Sequence, residues 1–264
     1  MNWKIATFNV NGIRARLESV MAWLQKHDPH VVCLQEIKCE DKNFPHSIFR
    51  QLGYNITLRG QKAFNGVATL TKMAPREVIE EFAPWESPED ARFIAVLVDN
   101  VWVVNTYVPQ GRSPHDPAFQ YKLEFFRRLG TWFHSRFHED DLVVWLGDMN
   151  VAPTPLDLFD PLRHEGSVGF HPAEREALQE VVSWGFTDLF RLHHPEKKQY
   201  TFWDYRLPKS FQRNLGWRLD HIFASSPLAK NCRECLVHDS VRGENKPSDH
   251  APVLASINLP QPSE

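Results

Sequence analysis

Apolar residues recur along the chain in two rhythms. Short runs and alternations predict strands over 4–8, 31–35, 66–71, 93–98, 101–107, 142–146, 219–224 and 253–257. Spacings of three, four and seven predict two helices. Leu17, Val20, Met21 and Leu24 make one stripe, and Phe119, Leu123, Phe126, Phe133 and Phe137 make the other. A weaker helix is expected over 172–184, where Pro172, Glu174 and Glu176 place proline and acids in the first turn. Aromatics in these stripes read as core. Asp99 and Asn100 separate two strand-like runs and predict a tight hairpin. Hairpins mixed with helices imply mixed sheets covered by helices, not a purely parallel doubly wound sheet. No repeat and no linker divides the sequence, so one domain is expected over 1–258, with a short tail over 259–264.

Composition narrows the classes. The 264 residues, 42% hydrophobic and 24% charged, suit an ordinary folded protein with ample core rather than a disordered chain. The 30 basic and 33 acidic residues give a net charge of −3, so overall charge does not suit the chain to coat nucleic acid. A polyanion must be met by a local basic patch. No apolar run approaches the length of a membrane span, no signal-peptide pattern opens the chain, and a cytoplasmic protein is expected. Cys232 and Cys235 form a lone C-x-x-C without two further ligands at zinc spacing, so plain thiols are expected.

The informative pattern lies where apolar runs end. The run reaching Phe8 ends in Asn9 and Asn11, and the run over 31–35 ends in Glu36. The run over 101–106 ends in Tyr107, and the run over 142–146 ends in Gly147, Asp148 and Asn150. Leu219 leads into Asp220, and Asp249 and His250 precede the last strand. Loops at strand ends are where sites are commonly built. Singly, each residue has a plain explanation: Asp148 as a turn former, Glu36 as a surface acid beside Lys38, His250 as a hydrogen-bonded core histidine. Together they pose an electrostatic problem, because two carboxylates about 4 Å apart repel by roughly 4 kcal/mol at an effective dielectric near 20. Converging acids need a cation, and oxygen ligands suit Mg2+ or Mn2+. Mg2+ at one or two carboxylates is the usual companion of phosphate chemistry.

The local wording of these segments carries a resemblance. Phe8-Asn9-Val10-Asn11-Gly12-Ile13-Arg14-Ala15, Leu34-Gln35-Glu36-Ile37-Lys38, Tyr107-Val108-Pro109-Gln110-Gly111, Gly147-Asp148-Met149-Asn150, Gly216-Trp217-Arg218-Leu219-Asp220 and Ser248-Asp249-His250 occur in that order. The set resembles the exonuclease III family of abasic-site DNA endonucleases, within the endonuclease/exonuclease/phosphatase superfamily. The resemblance implies a four-layered α/β sandwich, two mixed β-sheets packed face to face and flanked by helices. It implies Glu36 as the main Mg2+ ligand, with Mn2+ as a substitute, and Asp249 at an alternative metal position. Asn11 stands where some members have a metal-associated Asp. Asp148 is implied as the group handling the proton of the attacking water, Asn150 as its support, and Tyr107 and Asn9 as phosphate donors or orienters. Asp220 and His250 are implied as a carboxylate–imidazole pair facing the phosphate.

The resemblance also implies a substrate, double-stranded DNA with abasic sites or damaged 3′ ends. Phe202, Trp217 and Leu219 match a small apolar pocket for a flipped, base-less sugar, whose extrusion is cheapest because nothing is stacked there. Arg14, Lys38, Gln110, Arg112, Arg206 and Arg213 match or adjoin DNA-facing positions and supply the local positive rim. The segment 160–170 departs from the family wording: Asp160 and His164 replace expected Asn positions, and His164 or His171 could narrow or recharge the mouth of the site. The expected protein is a monomeric Mg2+-dependent DNA repair nuclease, nucleoid-associated if bacterial. It incises 5′ to abasic sites, with 3′–5′ exonuclease and 3′-end cleaning. A mainly 3′-directed exonuclease or phosphatase and a non-catalytic DNA-binding module remain as alternatives.

Overall fold

A computed structural model describes residues 2–82 and 90–260. Part of the expected tail, 261–264, lies outside the described residues. Twelve strands form in chain order: β1 (Asn2–Asn9), β2 (Val31–Gln35), β3 (Asn55–Arg59), β4 (Val67–Thr71), β5 (Glu77–Ile79), β6 (Phe93–Val98), β7 (Val101–Tyr107), β8 (Val143–Asp148), β9 (Phe186–Asp188), β10 (Asp220–Ser225), β11 (Cys232–Val237) and β12 (Val253–Asn258). They make two six-stranded mixed sheets. One has the order β11-β12-β1-β2-β4-β3, the other β5-β6-β7-β8-β10-β9. The parallel pairs are β1 with β2 and β7 with β8. Asp99 and Asn100 turn the β6–β7 hairpin with φ of 52° and 62°, the left-handed values a two-residue turn of this hand requires.

Helices cover both outer faces. The main ones are α1 (Leu17–His27), α2 (His46–Gln51), α3 (Pro117–Arg136), α4 (Pro161–His164), α5 (Pro172–Val182), α6 (Leu189–His193) and α7 (Ser226–Ala229). Asp116 caps α3, its side chain accepting from the Ala118 N–H at 2.8 Å with Pro117 in the first turn. Trp3, Ile5, Val31, Ile94, Val103, Val144, Leu146 and Ile222 fill the space between the sheets. Phe125, Phe126, Phe133, Leu178 and Trp184 lie under α3 and α5, and Phe8, Val20, Trp23 and Phe49 lie under α1 and α2. The layers are therefore helix, sheet, sheet, helix, as the resemblance implied.

Three details differ from the sequence pattern. On α3 the buried row runs Phe119, Lys122, Phe125 and Phe126, Leu129 and Phe133, and Leu123 is only half-buried. Lys122 is fully buried in its place because its ammonium finds three acceptors below the helix. β3, β5, β9 and β11 are edge or near-edge strands, and their half-exposed residues lack a strong apolar run. Cys232 and Cys235 are buried in β11, with a histidine of α6, His193, 3.3 Å from the Cys232 Sγ.

Candidate active site

Strand periodicity builds the site. In β1, Trp3 and Ile5 point between the sheets, and Thr7 and Asn9 continue that face. In β7 the same face runs Val101, Val103, Asn105, Tyr107. In β8 it runs Val144, Leu146, Asp148, and in β10 Ala224, Ile222, Asp220. Thus the apolar inter-sheet core turns polar at one end. Tyr107, Asp148 and Asp220 stand side by side there, since Asp148 pairs with Tyr107 in β7 and with Asp220 in β10. Beneath them, the Gln35 amide donates to Asn105 Oδ1 at 2.8 Å and Asn105 Nδ2 to the Ala68 carbonyl at 3.1 Å, tying the two sheets.

Tight backbone at the strand ends supplies the other groups. Asn11, Glu36, Lys38 and Asn150 all adopt positive φ, between 43° and 52°. Such conformations cost about 1–3 kcal/mol each in a non-glycine residue and cluster where geometry serves function. Gly147, with φ of 145°, admits the approach of the Thr106 carbonyl, which would lie 1.9 Å from any added Cβ.

The polar side chains converge. Asn9 Nδ2 donates to Glu36 Oε1 and to Asp148 Oδ2, both at 2.8 Å. Asp148 Oδ1 accepts from the Asn150 N–H at 2.9 Å, and the Asn150 amide donates to the Val108 carbonyl at 2.9 Å. His250 Nδ1 pairs with Asp220 Oδ2 at 2.7 Å, while Nε2 lies 3.8 Å from Asp148 Oδ2. Asn11 Nδ2 donates to Asp249 Oδ1 at 2.9 Å. Lys38 Nζ sits 2.7 Å from Glu36 Oε2 and also donates to Asn11 Oδ1. Every residue that the sequence suggested for catalysis or metal binding is at this one end of the sandwich.

Charge is unbalanced here. Burial, with Asp220 and Glu36 close by, pushes the Asp148 carboxyl up to about 7 despite the opposing pull of His250. Burial would lower the His250 imidazole, but Asp220 and Asp148 hold it up at about 10, as an imidazolium. Burial acts to raise Glu36, yet the Lys38 ammonium and the Asn9 amide bring it below the usual carboxylate range. Burial, with the Glu36 and Asp148 carboxylates close by, pushes the Tyr107 phenol well above its ordinary value, so it stays a donor.

The donor set suits a divalent cation. Glu36, Asp148 and His250 bring their oxygen and ring-nitrogen atoms within 4.8 Å of one another, the one such group among the described residues, and with His250 held as an imidazolium the ligands for an ion are the carboxylates. The Lys38 ammonium already bridges Glu36 and Asn11, marking a point where the protein favours positive charge. The donors are mainly oxygens, as Mg2+ and Mn2+ prefer.

A cavity of about 690 Å3 opens onto this cluster. Glu36, Tyr107, Asp148, Asn150, Asp249 and His250 lie along its polar side, and Phe202, Trp217 and Leu219 form an apolar wall. Phe202 is bridged by backbone to both Trp217 and His250, and its ring centroid is 4.9 Å from the imidazole. Arg218 turns inward between Trp217 and Leu219. Its Nε meets Asp157 Oδ1 at 2.6 Å and its Nη1 meets Asp188 Oδ2 at 2.8 Å, which leaves its two neighbours facing the cavity. Gly216 packs where an added Cβ would meet Trp203 and Tyr200 within 3 Å.

The basic rim is uneven. Gln110, Arg112 and Arg206 border the cavity, Arg206 in a bidentate pair with Asp204. Arg14 and Arg213 are exposed and do not line it, and Lys38 is turned to Glu36. Sequence reasoning left His164 open, and the structure places it in the cavity wall. Its ring packs edge-on against Trp217 with centroids 4.9 Å apart and against Phe159 at 5.3 Å. His171 instead caps α5, with Nδ1 accepting from the Ala173 N–H at 3.1 Å. Lys122 and Glu174, buried behind the cavity, were missed; a lysine between aromatics at helical spacing was the available signal.

Comparisons with known proteins agree with this fold. Residues 6–250 match the Endonuclease/Exonuclease/phosphatase family. The chain is 36% identical to an exodeoxyribonuclease III from Haemophilus influenzae, over 96% of this chain and 99% of that protein. Its fold superposes on an AP endonuclease from Archaeoglobus fulgidus with a TM-score of 0.94 and 39% identity, covering 97% of this chain and 100% of that one. It superposes on a 3′ phosphatase from Neisseria, solved with a product DNA hairpin, with a TM-score of 0.93 and 34% identity over the same shares.

Proposed function

The chain belongs to the endonuclease/exonuclease/phosphatase family, among the DNA repair nucleases related to exodeoxyribonuclease III, and from that premise we propose that it hydrolyses the phosphodiester 5′ to abasic sites in double-stranded DNA and uses the same centre to trim and clean 3′ ends. Nucleases of this family depend on a divalent metal; we take it to be Mg2+, with Mn2+ as a substitute. One observation carries the reading: the Glu36, Asp148 and His250 cluster shares a cavity with the apolar wall of Phe202, Trp217 and Leu219.

Roles follow from the contacts. Glu36, with Asn11 and Asp249 beside it, would hold the cation. A bound divalent ion neutralises phosphate charge and lowers the pKa of water. Asp148 is held from both sides by Asn9 and Asn150, so one carboxylate is fixed to take a proton from the attacking water. The His250 imidazolium, oriented by Asp220, and the Tyr107 hydroxyl donate to non-bridging oxygens as charge builds. The apolar wall accepts a base-less sugar. Arg112, Gln110 and Arg206 meet the flanking backbone, with Arg14, Lys38 and Arg213 as further contacts. We take the enzyme to act as a monomer in the cytoplasm, nucleoid-associated if bacterial.

The test is a gel assay on a duplex with one synthetic abasic site. Incision in Mg2+ or Mn2+ and none in EDTA is expected. Full activity in EDTA, or DNA binding without turnover in either metal, would overturn the proposal, the latter in favour of a binding module.

His164 favours a second reading. Its Nε2 is buried without a hydrogen-bond partner, and burial holds the ring below its ordinary pKa, hence neutral. An imidazole added to the wall narrows the room for a flipped internal sugar. In this reading the enzyme is mainly a 3′–5′ exonuclease or 3′-phosphatase with weak abasic incision. Parallel assays on an abasic duplex, a recessed 3′ end and a 3′-phosphate separate the two. The second reading expects His164→Ala to raise abasic incision relative to 3′-phosphate removal; an unchanged ratio counts against it.

A further inference from the structure

Behind the cavity lies an ion pair that the proposed chemistry does not touch. Lys122 of α3 and Glu174 of α5 are both fully buried and bond to each other. The ammonium also donates to the Asn150 carbonyl at 2.8 Å and the Gln110 carbonyl at 3.3 Å. The second Glu174 oxygen accepts from the Gly169 N–H at 2.8 Å and the His171 N–H at 3.1 Å. Gly169 in turn lies against Trp217, where an added Cβ would sit 3.3 Å from the indole. One buried pair therefore joins α3, α5 and the three cavity-lining segments that carry Gln110, Asn150 and Gly169.

Such a pair is a poor device for stability alone. Two apolar side chains of similar volume between α3 and α5 avoid the desolvation of two charges. What an apolar pair cannot do is fix carbonyl and amide groups of separate loops at once. Asn150 needs that restraint. Its backbone has φ of 51°, its N–H holds Asp148, and its carbonyl is held from behind by Lys122. A small shift of the Asn150 backbone, whose two flanking peptides carry these bonds, moves the Asp148 carboxylate, and misplacements near 1 Å cost up to about 100-fold in rate.

We propose that Lys122 and Glu174 are positioning residues for the hydrolysis: a buried ion pair that sets the Asn150 peptide against Asp148 and the Gly169 segment against Trp217. This rests on the nuclease reading above.

The test compares Lys122→Met, Glu174→Met and the double variant with wild type, in Mg2+ on abasic and 3′-phosphate DNA. Phe133→Leu, far from the site in the core under α3, serves as a control for lost stability. Each single variant strands a buried charge and should lower Tm. The double variant strands no charge but leaves four backbone groups without these partners, so it should regain part of the lost Tm, yet keep kcat roughly 10- to 100-fold low with KM within about threefold. Recovery of kcat along with Tm would overturn the proposal, as would an equal loss of kcat in Phe133→Leu. Hydrogen exchange keeps this claim separate from the nuclease reading. Inactivity of wild type on every DNA substrate overturns that reading, whereas unchanged protection of the Met149–Ala152 and Gly169 amides in the double variant overturns this one.

Discussion

Two buried charge networks lie a few residues apart and behave in opposite ways. In the first, Glu36, Asp148, Asp220 and Asp249 have Lys38 and His250 as their directly paired cations, and the Asp148 carboxyl is pushed up to about 7 by burial and by its acidic neighbours. In the second, Asp157 and Asp188 share Arg218, and Arg191 adds a further cation at Asp157. Burial acts to raise both of those acids, but Arg218, together with Arg191 and His221, more than offsets it and holds them below the usual carboxylate range. Burial is common to both, so burial alone does not mark a site. The balanced network shapes the wall by turning Arg218 inward. The unbalanced one has unmet demand for positive charge, which a divalent ion or a proton on Asp148 can meet.

The largest test of that contrast is removal of a group from the unbalanced network. Glu36→Ala and Asp148→Asn should each lower kcat by about 1,000-fold or more, equivalent to roughly 4 kcal/mol. Circular dichroism should show the fold intact. Wild-type-like rates in either variant would break the comparison. In the balanced network the loss should appear in stability. Arg218→Met leaves Asp157 and Asp188 buried without their main partner, and chemical denaturation should show a loss of about 3–5 kcal/mol.

A smaller effect comes from the cation itself. Mg2+ or Mn2+ at 100 times its Kd should stabilise the wild type by about 2.7 kcal/mol. Thermal scans should show that gain shrink in Glu36→Ala, and an undiminished gain would move the ion elsewhere.

The smallest effect concerns pH, and the two networks should differ in sign. Asp148 titrates above its unfolded value near 4, so the folded state holds more protons and its contribution worsens as pH rises from about 4 to 7. Without metal at pH 8, Asp148→Asn should therefore melt roughly a few °C above wild type. Asp157 and Asp188 are depressed, so their contribution is complete above pH 4 and is lost as pH falls below it. A metal-free Asp148→Asn that melts lower at pH 8 would remove the distinction.

Much of this was legible in the chain. Strands over 31–35, 93–98 and 101–107 coincide with β2, β6 and β7, because central strands read as continuous apolar runs. Asn9, Tyr107, Asp148 and Asp220 could be picked out as polar residues ending such runs, and strand parity with Ile5, Val103, Leu146 and Ile222 was enough to aim all four between the sheets. The edge strands β3 and β11 escaped notice because half-exposed strands carry mixed residues.

Other features were fixed only when distant segments met. Whether His164 would narrow the pocket depended on Trp217 and Phe159 standing beside it, residues 53 and 5 positions away. Lys122 interrupts an aromatic stripe in sequence, and only the approach of Gln110, Asn150 and Glu174 shows why a charge is tolerated there. Hydrophobic period is a local property, written residue by residue in the side chains. The fate of a buried charge depends on partners brought near by the fold, so its pairing, its proton and its use belong to the tertiary structure.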